Sequence, residues 1–201
     1  MVPRSNRTYP GAKVIHALSR VSSMSHEHER PQRVRRRRVE VSDGVAVIET
    51  FYRALRQRDH QTMAACYHRD VHFSDPIFED LHGAEVAAMW HMLCERGTDL
   101  EISLRDVAGN GDRGSAHWEA RYSFGPDRRP IHNRIEASFE FRDGRIIRHA
   151  DDFDLWRLTR QALGSFGVLL GWTSFSKRKV RSTARRGLTR FIDIHPEYGT
   201  D

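Results

Sequence analysis

Three side chains in this sequence have the types and spacing for proton transfer: Asp75, directly before Pro76, and the pair His149 and Asp151. In a strand, alternate side chains share a face, so Ile147, His149, Asp151 and Phe153 would project to one side. The same count groups Val71, Phe73 and Asp75 on a strand that Pro76 must end. If those faces line an apolar hollow, desolvation raises the carboxyl pKa values and makes the acids competent bases near neutrality. Two carboxylates and an imidazole converging there suit proton transfer or activation of a water. Each has a plainer use as well. Asp75 before a proline can be a turn residue accepting backbone N–H bonds, Asp151 can pair with Arg148 or Arg157, and His149 can be a satisfied core histidine.

The elements that must position these groups follow from periodicity. Ser42 or Asp43 offers a helix N-cap ahead of Val45, Ile48, Phe51, Tyr52 and Leu55 at helical spacing. Asp59 caps a short second helix with Met63 and Cys66. Residues 71–75 alternate as a strand. After Gly83, Val86, Met89, Trp90 and Leu93 mark a third helix ending near Gly97. Four strands follow, at 100–107, 115–124, 131–141 and 145–154, separated by turn signals of which Asp143-Gly144 is a two-residue hairpin. Helices first and antiparallel strands afterwards give an α+β domain with its helices on one face of a meander. Trp118, Ala120 and Tyr122 share a strand face that either lines a pocket or fills the sheet core, while His117 and Glu119 face away, towards solvent or a dimer partner.

The ends of the chain read differently. Of 201 residues, 38% are hydrophobic, which fits one domain plus unpacked chain. Residues 1–41 are rich in Ser, Arg, His and Pro and lack periodicity, so we expect a disordered basic tail. They show no apolar signal region, and Met24 is a second candidate initiator. The domain proper spans 42–157. Residues 158–201 hold an apolar wrap (Leu163, Phe166, Leu169, Leu170, Trp172) and a basic amphipathic helix over 174–192. The net charge of +6 is concentrated at the two ends, which argues against a nucleic-acid or membrane function for the domain itself. The longest apolar stretch is too short to span a bilayer, and a soluble cytoplasmic protein is expected. Cys66 and Cys94 read as buried free thiols. The sequence has no phosphate loop, nucleophile elbow or paired CxxC, so nucleotide and thiol chemistry are not expected. Among the 12 histidines, His149-x-Asp151 is one metal-like pair, without a third ligand at a persuasive spacing, so neither a metal nor another cofactor is expected.

The order of elements and several local words resemble the nuclear transport factor 2-like superfamily, and within it the SnoaL-like branch. The words are Phe51-Tyr52-Arg53-Ala54-Leu55 with Asp59, then Val71-His72-Phe73-Ser74-Asp75-Pro76, then Gly83, then Asp151-Asp152-Phe153-Asp154. The resemblance implies a cystatin-like cone: a strongly bent antiparallel sheet packed against three N-terminal helices, enclosing a pocket for a small apolar molecule, in a protein that is commonly a homodimer. It implies a lining drawn from Phe51, Tyr52, Phe73, Trp90, Trp118, Tyr122, Asn133, Ile135 and Phe153, and catalytic candidates Asp75, His149 and Asp151.

Individual mechanisms of the family carry over only in part. The ketosteroid isomerase base falls on Asp75, but its two oxyanion donors fall on Phe51 and Ala137, leaving Tyr52 or His149 to substitute. Each missing donor is worth about 2.7–4 kcal/mol. Of the limonene epoxide hydrolase set, Asp151 matches, while the arginine and second aspartate fall on Ala120 and Tyr122, and the water-binding pair on Phe73 and Asp75. The polyketide cyclase histidine has His132 as its nearest counterpart. Members range from isomerases, cyclases and epoxide hydrolases to binders without chemistry, and fold alone does not choose among them. The sequence therefore supports a small-molecule pocket protein, catalytic or not. The alternative is a dimeric scaffold whose basic termini bind nucleic acid or an anionic membrane.

Overall fold

Ile48, Phe51, Tyr52 and Leu55 recur at three- and four-residue spacing and are all buried, which fixes the inward stripe of the first helix. That helix, α1, runs Gln32–Gln57 and so begins upstream of the expected cap at Ser42 or Asp43. The arginines over 33–38 are good helix formers, and the backbone ladder runs on through Ser42. The computed structural model describes residues 32–164 and 174–199, with side chains over 44–164 and 177–199. Two units divide the chain between Arg33 and Val34, and the architecture below is that of the second. Most of the expected tail and the apolar residues Phe166, Leu169, Leu170 and Trp172 lie outside the described residues.

After α1 come α2 (His60–Ala65), β1 (Tyr67–Ser74), β2 (Leu81–His82), α3 (Ala84–Arg96), β3 (Glu101–Asn110), β4 (Arg113–Phe124), β5 (Arg129–Arg142), β6 (Arg145–Asp152), α4 (Leu155–Leu163), α5 (Ser174–Ile194) and a 3-10 turn, Pro196–Tyr198. Asp59 caps α2 by accepting from Thr62 N at 3.0 Å. Gly83 precedes α3 at φ 50°, and a β-carbon there would stand 3.2 Å from the Arg69 carbonyl, so glycine suits the position on both counts. Asp143 and Gly144 both have positive φ, 52° and 72°, as the tight β5–β6 hairpin requires. No helix among the described residues is long and apolar enough to cross a membrane.

The six strands form one sheet in the order β2-β1-β6-β5-β4-β3. This corrects the expected strongly bent antiparallel cone. The sheet is mixed, because β1 pairs parallel with β6, and it is neither strongly curled nor closed. Hairpins can only give antiparallel neighbours, but β1 reaches β6 through everything between them, and such long crossovers allow parallel pairing. The short β2 and β3 remain as edges, and a layer of aromatic side chains separates the sheet from the helices. Phe51, Tyr52, Tyr67, Phe73, Trp90, Trp118 and Phe139 are all buried in that layer.

Two further differences bear on the site. In β6 the pairing shifts, with Phe141 opposite Ile146 and Glu140 opposite Arg148, leaving Ile147 as the extra residue. The bulge turns Ile146, rather than Ile147, to the interior with His149 and Asp151. β6 also ends at Asp152, short of the expected Asp154. Asp154 instead caps α4, accepting from Arg157 N at 3.0 Å. Helix α4 lies against β5, and its Leu155 and Leu158 bury Ile131. Helix α5 docks on α3 through buried Leu188 and Phe191 and an Arg185–Glu85 ion pair at 2.6 Å.

Candidate active site

His149 and Asp151 face the interior from the end of β6, with side chains 0% and 3% exposed. Three further side chains lead to them. Trp90 Nε1–H donates to the Tyr67 hydroxyl at 2.9 Å, that hydroxyl lies 2.7 Å from His149 Nδ1, and His149 Nε2 lies 3.0 Å from Asp151 Oδ1. Trp118 Nε1–H reaches the same Oδ1 at 3.3 Å. One proton arrangement satisfies every group. Having accepted from Trp90, the tyrosine donates to Nδ1; a neutral His149 then carries its proton on Nε2 and donates to Asp151. The whole chain therefore points at a single carboxylate, and two hydrogen bonds, both strengthened by its charge, offset its burial.

The sheet register explains how these groups meet. Asp151 is directly opposite Ala137 on β5, and Trp118 on β4 is opposite Ile135. A methyl group at 137 leaves room for the Trp118 indole to reach across β5 to the acid. Helix α1 closes the other side, with the Phe51 ring edge-on to His149 at 5.5 Å and Tyr52 5.4 Å from Trp118. The Tyr52 hydroxyl is fully buried and is the buried side-chain polar atom left without a hydrogen-bond partner among the described residues. Burial, and then the nearby Asp151 charge, raise its pKa well above the usual value, so it remains a protonated donor. A buried unpartnered hydroxyl costs about 1–3 kcal/mol, which is reason to ask what it is kept for.

Asp75 follows the last residue of β1. Its Oδ1 accepts from Ile77 N at 2.6 Å and also from Phe78 N, and its own N–H donates to Phe78 O at 2.8 Å. The turn-forming use of Asp75 is thus realised on one oxygen, while among the described residues no donor reaches Oδ2. Burial pushes this carboxyl up to about 7; the two backbone bonds and Arg181 oppose the rise, and the Asp151 charge adds to it. Asp75 and Asp151 are therefore within electrostatic reach of each other, and Asp151 acts on Tyr52 as well. Among the described residues neither acid is paired with an arginine. Arg181 instead donates to the Pro76 carbonyl at 3.0 Å and pairs with Glu79.

The expected lining residues divide. Phe51, Tyr52, Phe73, Trp90, Trp118 and Ile135 are buried and pack with one another, while Tyr122, Asn133 and Phe153 are half-buried. A shallow cavity of about 370 Å³ opens at the end of the β4–β5 hairpin, lined by Asp99, Glu101, Arg121, Tyr122, Ser123, Pro130, Ile131 and His132. Of the expected lining only Tyr122 belongs to it, and none of Asp75, His149 and Asp151 does. His132 proves to be on the other face of the sheet, its Nε2 2.6 Å from Glu119 Oε2. There, with Arg105 and His117, it holds the Glu119 carboxyl below the usual range. Tyr67 escaped the sequence reading because the strand was expected to start at Val71. Its aromatic neighbours share no periodic signal with it.

The helices over one face of a six-stranded sheet resemble the fold of a nuclear transport factor 2-like protein. A model of the SnoaL-like domain family matches residues 48–149, and the chain belongs to that family; the match stops just short of Asp151. The fold is similar to that of a Mycobacterium tuberculosis epoxide hydrolase of the limonene epoxide hydrolase-like kind, at 20% identity and a TM-score of 0.54, over 67% of this chain and 99% of that one. A Burkholderia pseudomallei nuclear transport factor 2-like protein of unknown function gives 18% identity and 0.55, over 61% and 98%. A Jannaschia protein assigned as a SnoaL-like polyketide cyclase gives 13% and 0.56, over 62% and 94%. No curated protein matches the sequence.

Proposed function

We propose that this chain acts on a small, largely apolar molecule by acid–base chemistry, with Asp75 as the general base and the Tyr52 hydroxyl as donor to an oxygen that gains charge. The observation that carries this reading is the Asp75 carboxyl, pushed up to about 7 in a half-buried turn with one oxygen free of donors among the described residues. A base of that pKa is half ionised at neutral pH, where it both exists as carboxylate and has affinity for the proton it must take. On a substrate with a carbonyl, Asp75 would remove a proton from the adjacent carbon while Tyr52 hydrogen-bonds the developing enolate oxygen. Asp151, held by His149 and Trp118, would set the field acting on both.

Epoxide hydrolysis and polyketide cyclisation, the activities named for two proteins of similar fold, likewise turn on proton transfer at a carbon framework. A binder without turnover would be expected to lock its acids in ion pairs, and neither Asp75 nor Asp151 has an arginine partner among the described residues. The test is a turnover screen of apolar ketones and epoxides with the wild-type chain and Asp75→Asn. Turnover should rise with pH through about 7 and fall by about 10²–10⁴-fold in the variant, with the variant unfolding cooperatively. Equal turnover in the two proteins would rule Asp75 out as base.

A further inference from the structure

Across the β1–β2 pair, His72 and His82 are direct cross-strand partners, a placement that sets β-carbons about 4.5–5.5 Å apart. Their rings stack at 4.7 Å between centroids and 19° between planes. Both Nε2 atoms converge on one oxygen: Asp80 Oδ1 lies 2.7 Å from His72 Nε2 and 2.8 Å from His82 Nε2. These ligand-type atoms all lie within 4.8 Å of one another, and the side chains are 25%, 70% and 62% exposed for His72, Asp80 and His82. None takes part in the network around Asp151. We propose that His72, Asp80 and His82 form a binding site for a divalent ion of the zinc, cobalt or nickel kind.

The ligand chemistry selects that class. Two imidazoles and one carboxylate suit zinc and its neighbours, whereas magnesium and calcium prefer all-oxygen sites. Bonds of about 2.0–2.2 Å to zinc hold neighbouring ligand atoms about 3 Å apart. The two Nε2–Oδ1 separations need only open by a fraction of an ångström from their present hydrogen-bonded values, and the two Nε2 atoms already lie within 4.8 Å of each other. Asp80 is exposed and free to make that adjustment, and the open side leaves remaining positions to water. The neutral imidazoles bind through Nε2 after their protons move to Nδ1, so no proton need be lost.

A second group of three, His91, His195 and Glu197, is equally close but is already used. Tyr198 and Glu95 occupy the two nitrogens of His91 at 3.1 and 3.3 Å, and His60 stacks on its ring at 3.5 Å. At His72, Asp80 and His82 a bound ion would also tie β1 to β2 and so close the turn from Asp75 to Asp80 at both ends. The site stands whether or not Asp75 is a base.

The experiment is a titration of the full chain with Co²⁺ at neutral pH, followed by visible absorption and calorimetry, alongside Asp80→Asn, His82→Ala and His195→Ala. We expect one strong equivalent in the wild type, weakened roughly tenfold or more in Asp80→Asn and His82→Ala and unchanged in His195→Ala. Zn²⁺ should raise the unfolding temperature of the wild type but not of His82→Ala. All these positions are partly exposed, and metal-free unfolding curves will show that the variants fold. Absence of Co²⁺ binding, equal affinity in the wild type and His82→Ala, or loss in His195→Ala alone would overturn the assignment.

Discussion

Arg181, near the middle of α5, donates from Nε to the Pro76 carbonyl at 3.0 Å, joining the C-terminal helix to the turn next to Asp75. The same guanidinium lowers the Asp75 pKa against the larger effect of burial. Replacing it in Arg181→Gln should therefore move the Asp75 titration to higher pH. Carboxyl NMR of Asp75 in the two proteins checks this, and a shift to lower pH would show that Arg181 does not act on Asp75 as described.

Asp75 should also set a stability gradient. Its folded pKa of about 7 lies above the ordinary aspartate value of 3.8, so between those values the folded state binds more protons than the unfolded one. Its contribution to stability is fully present below about pH 4 and is lost as pH rises through 7, with a slope approaching 1.4 kcal/mol per pH unit. Asp75→Asn keeps an oxygen for Ile77 N and Phe78 N but cannot ionise. Urea unfolding across this range should show the wild type losing stability relative to Asp75→Asn as pH rises.

Tyr52→Phe removes a hydroxyl without a protein partner among the described residues and keeps the ring against Trp118. Stability should be unchanged or rise by up to about 1 kcal/mol, while turnover of any carbonyl substrate found in the screen should fall. A clear loss of stability in thermal unfolding would mean that the hydroxyl has a structural partner.

Tyr67→Phe should behave in the opposite way. It strips the acceptor from Trp90 Nε1–H and the donor from His149 Nδ1, leaving buried polar groups unpaired. A destabilisation of about 1–3 kcal/mol or more is expected, read from chemical denaturation.

Gly114 on β4 lies close against α1. A β-carbon there would lie 2.8 Å from Ile48 Cδ1 and 3.0 Å from the Phe141 ring. Gly114→Ala should cost about 1–3 kcal/mol by overpacking, and Ile48→Val in the same chain should recover part of it.

Local signals determined much of this protein. Apolar spacing marked α1 and α3, Asp59 marked the start of α2, and three turns fixed the β3-β4-β5-β6 meander, because caps and hairpins are decided by residues a few positions apart. The same locality placed His149 and Asp151 on one face and put Asp75 at a strand end. What lay beyond it was every relation between distant segments. The parallel pairing of β1 with β6, the open sheet, and the docking of α5 on α3 leave no short-range trace. Tyr67 joins His149 across 82 positions of sequence, and His132 turned out to be on the far face. Whether Asp75 is an ordinary turn aspartate or a carboxyl poised near neutrality was a matter of burial, and burial belongs to the packed molecule: the solvent a side chain loses depends on neighbours that only the tertiary fold brings together.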